Sequence, residues 1–308
     1  MSSTQNTHAT RGFIFIALSA ILFGSLGVAT QFVFQSAPNT NAYSVTLWRA
    51  LIALPVLILI AIPVVGKKFF NITRRDWGIM IFAGLMMAVY QVSFVLALRL
   101  VNVTIATLIT LCMVPVFAAL LSAPLLLVRV HRNIYIAMVI AIACVVLLVG
   151  FQPVNDFGTN AWLGIALALV TALGSALFQI CGRMVSNRYH PLQTLTIFFF
   201  VAALALLPNT LLNGFVVNYP PMGWVFLLHL GIGISVIGYG FLILGLRTTP
   251  ATIATIIALL EPLTGALLAW VFLGERLGAL GIVGAALLLG AMVLVMRSNR
   301  ETAEPGEI

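Results

Sequence analysis

About ten stretches of roughly 20 apolar residues, each long enough to cross the hydrocarbon core of a bilayer, follow one another along this chain. They run approximately over 12–34, 42–65, 77–98, 103–123, 134–150, 160–182, 191–212, 222–246, 251–272 and 278–296. Between them lie short segments that hold almost all the Lys and Arg. Only 7% of the 308 residues are charged, against about a quarter in a soluble domain, so the chain is read as a membrane protein. Continuous apolar runs exclude an outer-membrane barrel, whose strands alternate in short segments. The run after Arg11 is too long for a signal peptide and lacks a small-residue cleavage pattern, so it is read as the first membrane helix. The expected architecture is an all-α bundle of ten transmembrane helices.

A net charge of +8 raises the possibility of nucleic acid, but the placement of the charges argues otherwise. With a cytoplasmic N-terminus, threading the spans puts Arg11, Lys67, Lys68, Arg74, Arg75, Arg129, Arg132, Arg183, Arg188, Arg247, Arg297 and Arg300 inside. Only Arg99 and Arg276 fall outside. That asymmetry is the positive-inside bias of a multi-pass protein with both termini cytoplasmic, and it assigns the charges to orientation and lipid headgroups.

The chain nearly repeats itself. TIATLITLCMVP (Thr104 to Pro115) returns as TIATIIALLEP (Thr252 to Pro262), with Val114 in the first copy and Glu261 in the second. Arg99 and Arg247 each precede the TIAT core by five residues, Arg129 and Arg276 each follow the proline by fourteen, and Tyr90 and Tyr239 precede the arginines by nine and eight. Phe23-Gly24-Ser25 matches Leu173-Gly174-Ser175. Helices one to five (residues 1–150) therefore duplicate as helices six to ten (151–297), followed by a cytoplasmic tail (298–308). Because five is odd, the second copy enters from the opposite side. Inverted repeats of this kind place a substrate site near the midplane and alternate its access.

The residues also carry a resemblance. EPLTGALLAWVFLGERLG (Glu261 to Gly278), LFGSLGVATQFVF (Leu22 to Phe34) and LWRALIALP (Leu47 to Pro55) resemble the EamA family of the drug/metabolite transporter superfamily over essentially the whole chain. Within it the chain looks most like the YddG-type amino acid exporters. The resemblance implies a two-repeat carrier in the bacterial inner membrane that exports small metabolites, amino acids such as aromatic ones, threonine and methionine first. A multidrug exporter of lipophilic cations is the alternative. The first repeat departs from the pattern, with Val114-Pro115 for Glu-Pro and Leu127-Val128-Arg129 for Gly-Glu-Arg.

Ionisable residues within a span are costly and usually face the bundle interior or a cavity. Arg49, about seven residues into helix two, and Glu261, about ten into helix nine, are the candidates. At 1.5 Å per residue they sit roughly 10 and 16 Å from the outer edge. They are expected either to pair or to hold the two ends of a zwitterion, with a purely fold-stabilising pair as the alternative. Pro115 and Pro262 are expected to interrupt equivalent helices near the site. Trp48, Tyr90, Gln91, Tyr239, Gln31 and Gln179 are candidates for lining or gating it, with helix-to-helix hydrogen bonding the alternative for each. His229 reads first as a hydrogen-bonded core histidine. The glycines of helix eight (Gly231, Gly233, Gly238, Gly240, Gly245) and helix ten (Gly278, Gly281, Gly284) suit close packing.

Cys112, Cys144 and Cys181 have no paired spacing and read as packing residues. No cluster of metal ligands or acid–base partners can be assembled, so neither a cofactor nor enzymatic activity is expected. One chain contains both halves, so a monomer suffices; the expected partners are a small-molecule substrate and the bilayer.

Overall fold

A computed structural model describes residues 2–126, 160–186, 188–246, 257, 260–275, 282, 283, 286 and 290. In chain order the helices are α1 (Ser2–Gly24), α2 (Leu26–Ser36), α3 (Ala42–Val65), α4 (Arg74–Leu100), α5 (Val103–Leu126), α6 (Ala161–Ser186), α7 (Pro191–Leu212), α8 (Pro221–Leu228), α9 (Tyr239–Leu246) and α10 (Leu260–Leu273). A 3₁₀ turn at Gly66–Phe70 follows α3, and a π-helical segment at His229–Gly238 joins α8 to α9. There are six helical stretches long and apolar enough to cross a membrane among the described residues, at 11–36, 42–65, 74–100, 161–186, 191–212 and 221–245. The expected fifth span (134–150), tenth span (278–296) and tail (298–308) lie outside the described residues, apart from four helical positions in the tenth. Cys144, Gly278, Gly281 and Gly284 fall with them.

The ends of the helices are fixed by polar chemistry that the apolar runs do not contain. Asn41 caps α3 by accepting from Ser44 N at 2.8 Å. Thr73 accepts from Asp76 N while its hydroxyl donates to Asp76 Oδ2 at 2.8 Å, a reciprocal arrangement that satisfies first-turn donors. This cap starts α4 at Arg74, three residues before the expected apolar boundary. Pro191 and Pro221 open α7 and α8, where a missing N–H costs nothing.

Packing runs mainly between the two halves of the sequence. α4 lies along α6 and α7, α3 along α7 and the π segment, α5 along α6 and α10, and α1 along α9 and α10. Close approach of α4 to α6 depends on Gly174, where a Cβ would stand 3.0 Å from Tyr90 Cβ. One core cluster gathers Phe94, Leu98, Ile105, Ile109, Cys112 and Ala168. Another gathers Leu57, Met80, Met87, Ala88, Cys181 and Phe199.

Polar networks close each end of the bundle. At the end that the charge pattern assigns to the outside, Asn41 Nδ2 donates to Gly214 O (2.7 Å), Trp48 Nε1 to Val216 O (2.9 Å), and Thr40 and Tyr219 hydroxyls share a bond of 2.5 Å. Arg99 lies over the Phe34 ring and donates to Thr40 O. Gly274, with φ +69, turns the chain out of α10 in a conformation that suits glycine. The next residue, Glu275, accepts from Val103 N, Thr104 N and Thr104 Oγ1 at 2.7 to 2.9 Å, capping α5.

At the other end, the inside by the same pattern, the fully buried Asp76 carboxylate accepts from Tyr189 OH (2.7 Å) and pairs with Arg188 Nη1 (2.8 Å). Gln193 Nε2 donates to Phe69 O at 2.7 Å. These bonds tie α4 to the α6–α7 turn. Removing the acid strands the Tyr189 and Thr73 hydroxyls, so Asp76→Ala is expected to cost about 3 kcal/mol. The Arg188 side chain is 48% exposed, and Arg188→Ala is expected to cost about 1 kcal/mol or less. Thermal unfolding in detergent measures both, and equal losses would contradict the ranking.

Candidate functional site

Near mid-height, polar side chains from both halves meet. Arg49, two turns into α3 and only 7% exposed, donates from Nε to Ser235 Oγ at 2.8 Å. Ser235 lies in the π segment and donates in turn to Leu230 O, five residues back, at 2.9 Å. A π register leaves the ordinary i→i−4 ladder and is rare outside functional positions. Here its strays are answered from other helices: Ser19 Oγ of α1 donates to Gly238 O at 2.9 Å. α3 comes so close to the segment that a Cβ on Gly231 would meet Ile52 Cγ2 at 2.6 Å and Arg49 O at 3.3 Å. Gly231 therefore serves packing as the sequence suggests, and so does Gly245, against Ile16 of α1. The π distortion itself was not expected; the run GIGISVIG, rich in glycine within a span, is its one sequence signal.

Tyr90 of α4 and Tyr239, the first residue of α9, bring their hydroxyls within 3.4 Å of each other, and both are electrostatic neighbours of Arg49. Around them the rings form a chain: Phe23 packs on Tyr239 (5.0 Å between centroids), Phe178 on Tyr90 (5.7 Å) and on Phe198 (5.3 Å). Gln91 is 2% exposed, and neither its Oε1 nor its Nε2 has a hydrogen-bond partner among the described residues. It sits on α4 between the two core clusters, after Met87 and Ala88 of one and before Phe94 of the other.

Glu261 lies elsewhere. It lies on α10, whose backbone crosses α1 so closely that a Cβ on Gly24 would come within 2.6 Å of Glu261 O. Directly after Gly24, α1 breaks at Ser25 before α2 resumes. Ser25 Oγ donates to Leu22 O (2.7 Å) and lies 2.8 Å from His229 Nε2. A hydroxyl has one proton, so His229 donates here from Nε2, the hydrogen-bonded role its sequence position suggests. An open cavity of about 630 Å³ adjoins this break, lined by Ser25, Phe32, Gln35, Phe226, His229 and Phe272 among others. Its wall is aromatic and apolar, with Ser25, Gln35, Ser36 and His229 as its polar side chains, and Arg49 is not part of it.

Three expectations change. No ion pair joins Arg49 to Glu261 among the described residues, and neither is an electrostatic neighbour of the other. Arg49 turns to the π segment, while Glu261 lies on α10 where it crosses α1. α5 continues helically past Pro115, from Val103 to Leu126, so what the proline removes there is one ladder hydrogen bond and not the helix; Pro262 is buried within α10. Trp48, adjacent to Arg49 in sequence, is turned to the outer end, against Phe215 and Trp224. Of the other candidates, Gln31 ties α2 to α4 by donating to Leu98 O, and Gln179 is exposed on α6.

The comparisons with known proteins agree with this architecture. The family model described as "EamA-like transporter family" matches residues 10–150 and 162–297. An uncharacterized transporter of Bacillus subtilis, YwfM, is 25% identical over 94% of this chain and 96% of its own length. A pseudopaline exporter of Pseudomonas aeruginosa, CntI, is 24% identical over 92% and 96%, and an uncharacterized transporter of Archaeoglobus fulgidus is 24% identical over 92% and 95%. A solved crystal structure covers 95% of this chain and 99% of its own at a TM-score of 0.66; its 19% identity makes that a likeness of fold alone.

Because Arg49 and Glu261 do not pair, exchanging their charges is expected not to rescue folding. Arg49→Glu combined with Glu261→Arg should melt in detergent no higher than the worse single variant, each substitution stranding a buried charge. Recovery of most of the wild-type melting temperature would mean that the two residues pair after all.

Proposed function

The chain belongs to the EamA-like transporter family, and on that premise we propose that it exports amino acids and related small metabolites across the bacterial inner membrane by alternating access. Family membership makes it a multi-pass membrane transporter, and its relatives are transporters rather than enzymes. The observation that carries the finer reading is the midplane island itself. Arg49 meets Ser235, and Tyr90 meets Tyr239, so each bond joins the first half of the chain to the second. A site of this make-up, a few polar groups set among aromatic walls, suits a small molecule.

The packing supports two inverted repeats. Counting spans, with α1–α2 as the first, α3 to α5 as the second to fourth, α6 and α7 as the sixth and seventh, α8 to α9 as the eighth and α10 as the ninth, exchange of each span with the one five places on preserves the main contacts between the halves. Third on sixth becomes eighth on first, fourth on sixth becomes ninth on first, and third on seventh becomes eighth on second. Second on seventh and fourth on ninth map onto themselves. The two segments matched by the family model part between residues 150 and 162, in keeping with repeats at 1–150 and 151–297. Symmetry of this kind gives a carrier two access states of similar energy. The name of one relative, a pseudopaline exporter, supports the outward direction, and the charge pattern supports cytoplasmic termini.

Purified protein in liposomes is expected to carry radiolabelled phenylalanine, methionine or threonine saturably, measured with and without a pH gradient. Failure of all three to cross while a cationic dye does would replace the amino acid reading with export of lipophilic cations.

A further inference from the structure

The Arg49 guanidinium has five N–H donors, and the described structure answers one, Nε, through Ser235. The phenols Tyr90 and Tyr239 lie near it, and neither is a carboxylate. No acid pairs with it among the described residues. A buried guanidinium without a counter-charge is an unfavourable arrangement that an incoming anion relieves. One cation alone matches a monoanion such as a carboxylate; a phosphate calls for several.

Gln91 is the second observation, independent of the first. Its amide is enclosed beside the Tyr90 hydroxyl, yet no well-formed hydrogen bond answers its donor or its acceptor. Buried polar groups left in this way are rare and call for an explanation. A primary amide presents an N–H and a C=O side by side, so it donates to a carboxylate and accepts from an ammonium at once. An α-amino acid carries those two groups on one carbon. The rings of Tyr90, Phe178 and Phe23 then offer the surface for an apolar side chain.

Resting on the carrier reading above, we propose that the midplane site recognises the zwitterionic head of an α-amino acid, with Arg49 receiving the carboxylate and the Gln91 amide bridging carboxylate and ammonium, and that it refuses cations. Glu261, on α10 at its crossing with α1, is not assigned to the ammonium.

The test uses full-length protein in two formats: stabilisation of detergent-solubilised protein against heat, and competition against labelled phenylalanine in liposome counterflow. The unlabelled probes are phenylalanine, phenylalaninamide and phenethyltrimethylammonium, which share one side chain and differ in charge. Phenylalanine is expected to stabilise the protein and to compete at least about tenfold better than the other two. Arg49→Gln is expected to abolish that preference and Arg49→Lys to keep part of it. Gln91→Leu is expected to bind phenylalanine at least about tenfold more weakly while melting no lower than wild type, since it removes an unsatisfied buried amide; a purely structural glutamine would lower the melting point instead.

Equal competition by the quaternary cation, an unchanged probe ranking in Arg49→Gln, or a destabilised Gln91→Leu that still binds normally would overturn the proposal. Stabilisation by phenylalanine without counterflow would uphold the zwitterion site and sink the carrier reading, so the two failures are distinguishable.

Discussion

The contact between Arg49 and Ser235 organises the middle of this molecule. A bilayer offers no water to satisfy a stray carbonyl or a lone charge, so every irregularity in a spanning helix has to be answered by a neighbouring side chain. The π segment between α8 and α9 is such an irregularity. It places Ser235 where one hydroxyl both holds the Arg49 Nε–H and satisfies Leu230 O, while Ser19 reaches from α1 to Gly238 O. Three helices are thereby committed to one geometry. The break at Ser25 follows the same rule, since its hydroxyl satisfies Leu22 O and meets His229 at the head of the π segment. The irregular backbone is concentrated where the polar side chains are, and the regular helices of α3, α4, α6 and α7 hold it in place.

The two proposed repeats differ in chemistry. Glu261 stands where the first half has Val114, and Glu275 caps α5 through three hydrogen bonds, whereas the corresponding stretch of the first half reads Leu127-Val128 before its arginine. The buried carboxylate at the opposite end, Asp76, is held by the α6–α7 turn. Each end of the bundle therefore has its own polar fastening. Contacts that hold one end shut are worth breaking only if the other end closes in exchange, which is the energetic requirement of alternating access.

How much of this the sequence conveyed depends on which interaction decided each feature. α3 and α7 follow the apolar runs at 42–65 and 191–212 to the residue, because the capping residue Asn41 and the helix-opening Pro191 stand directly at the edges of those runs. α4 begins earlier than its run because Thr73 and Asp76 cap it, a polar effect that hydropathy does not register. Arg49, Tyr90, Gln91 and Tyr239 were legible as intramembrane polar residues, and the structure gathers them. Trp48 and Gln31 were legible in the same way, yet they bond to the backbone at the outer loop and at α4. Composition gives a residue's depth in the membrane; which way it turns around the helix axis is settled by packing. The Arg49–Glu261 pairing failed for that reason: Arg49 is turned to Ser235 and Glu261 sits on the helix that crosses α1 at Gly24. The π segment left only a compositional trace, the glycines of GIGISVIG, because hydrogen-bond register has no periodic signature in so uniformly apolar a run.

The central claim is that two packed halves open the Arg49 island to one side of the membrane at a time. Spin labels at Asn39 and Asn218, exposed at the outer end, and at Arg75 and Arg183, exposed at the inner end, report on the two fastenings by pulsed electron paramagnetic resonance in liposomes. The account predicts reciprocal distances: when phenylalanine shifts the population, one pair lengthens as the other shortens. Lengthening of both pairs together, as in a channel, or two distances that never move under any substrate, would contradict it.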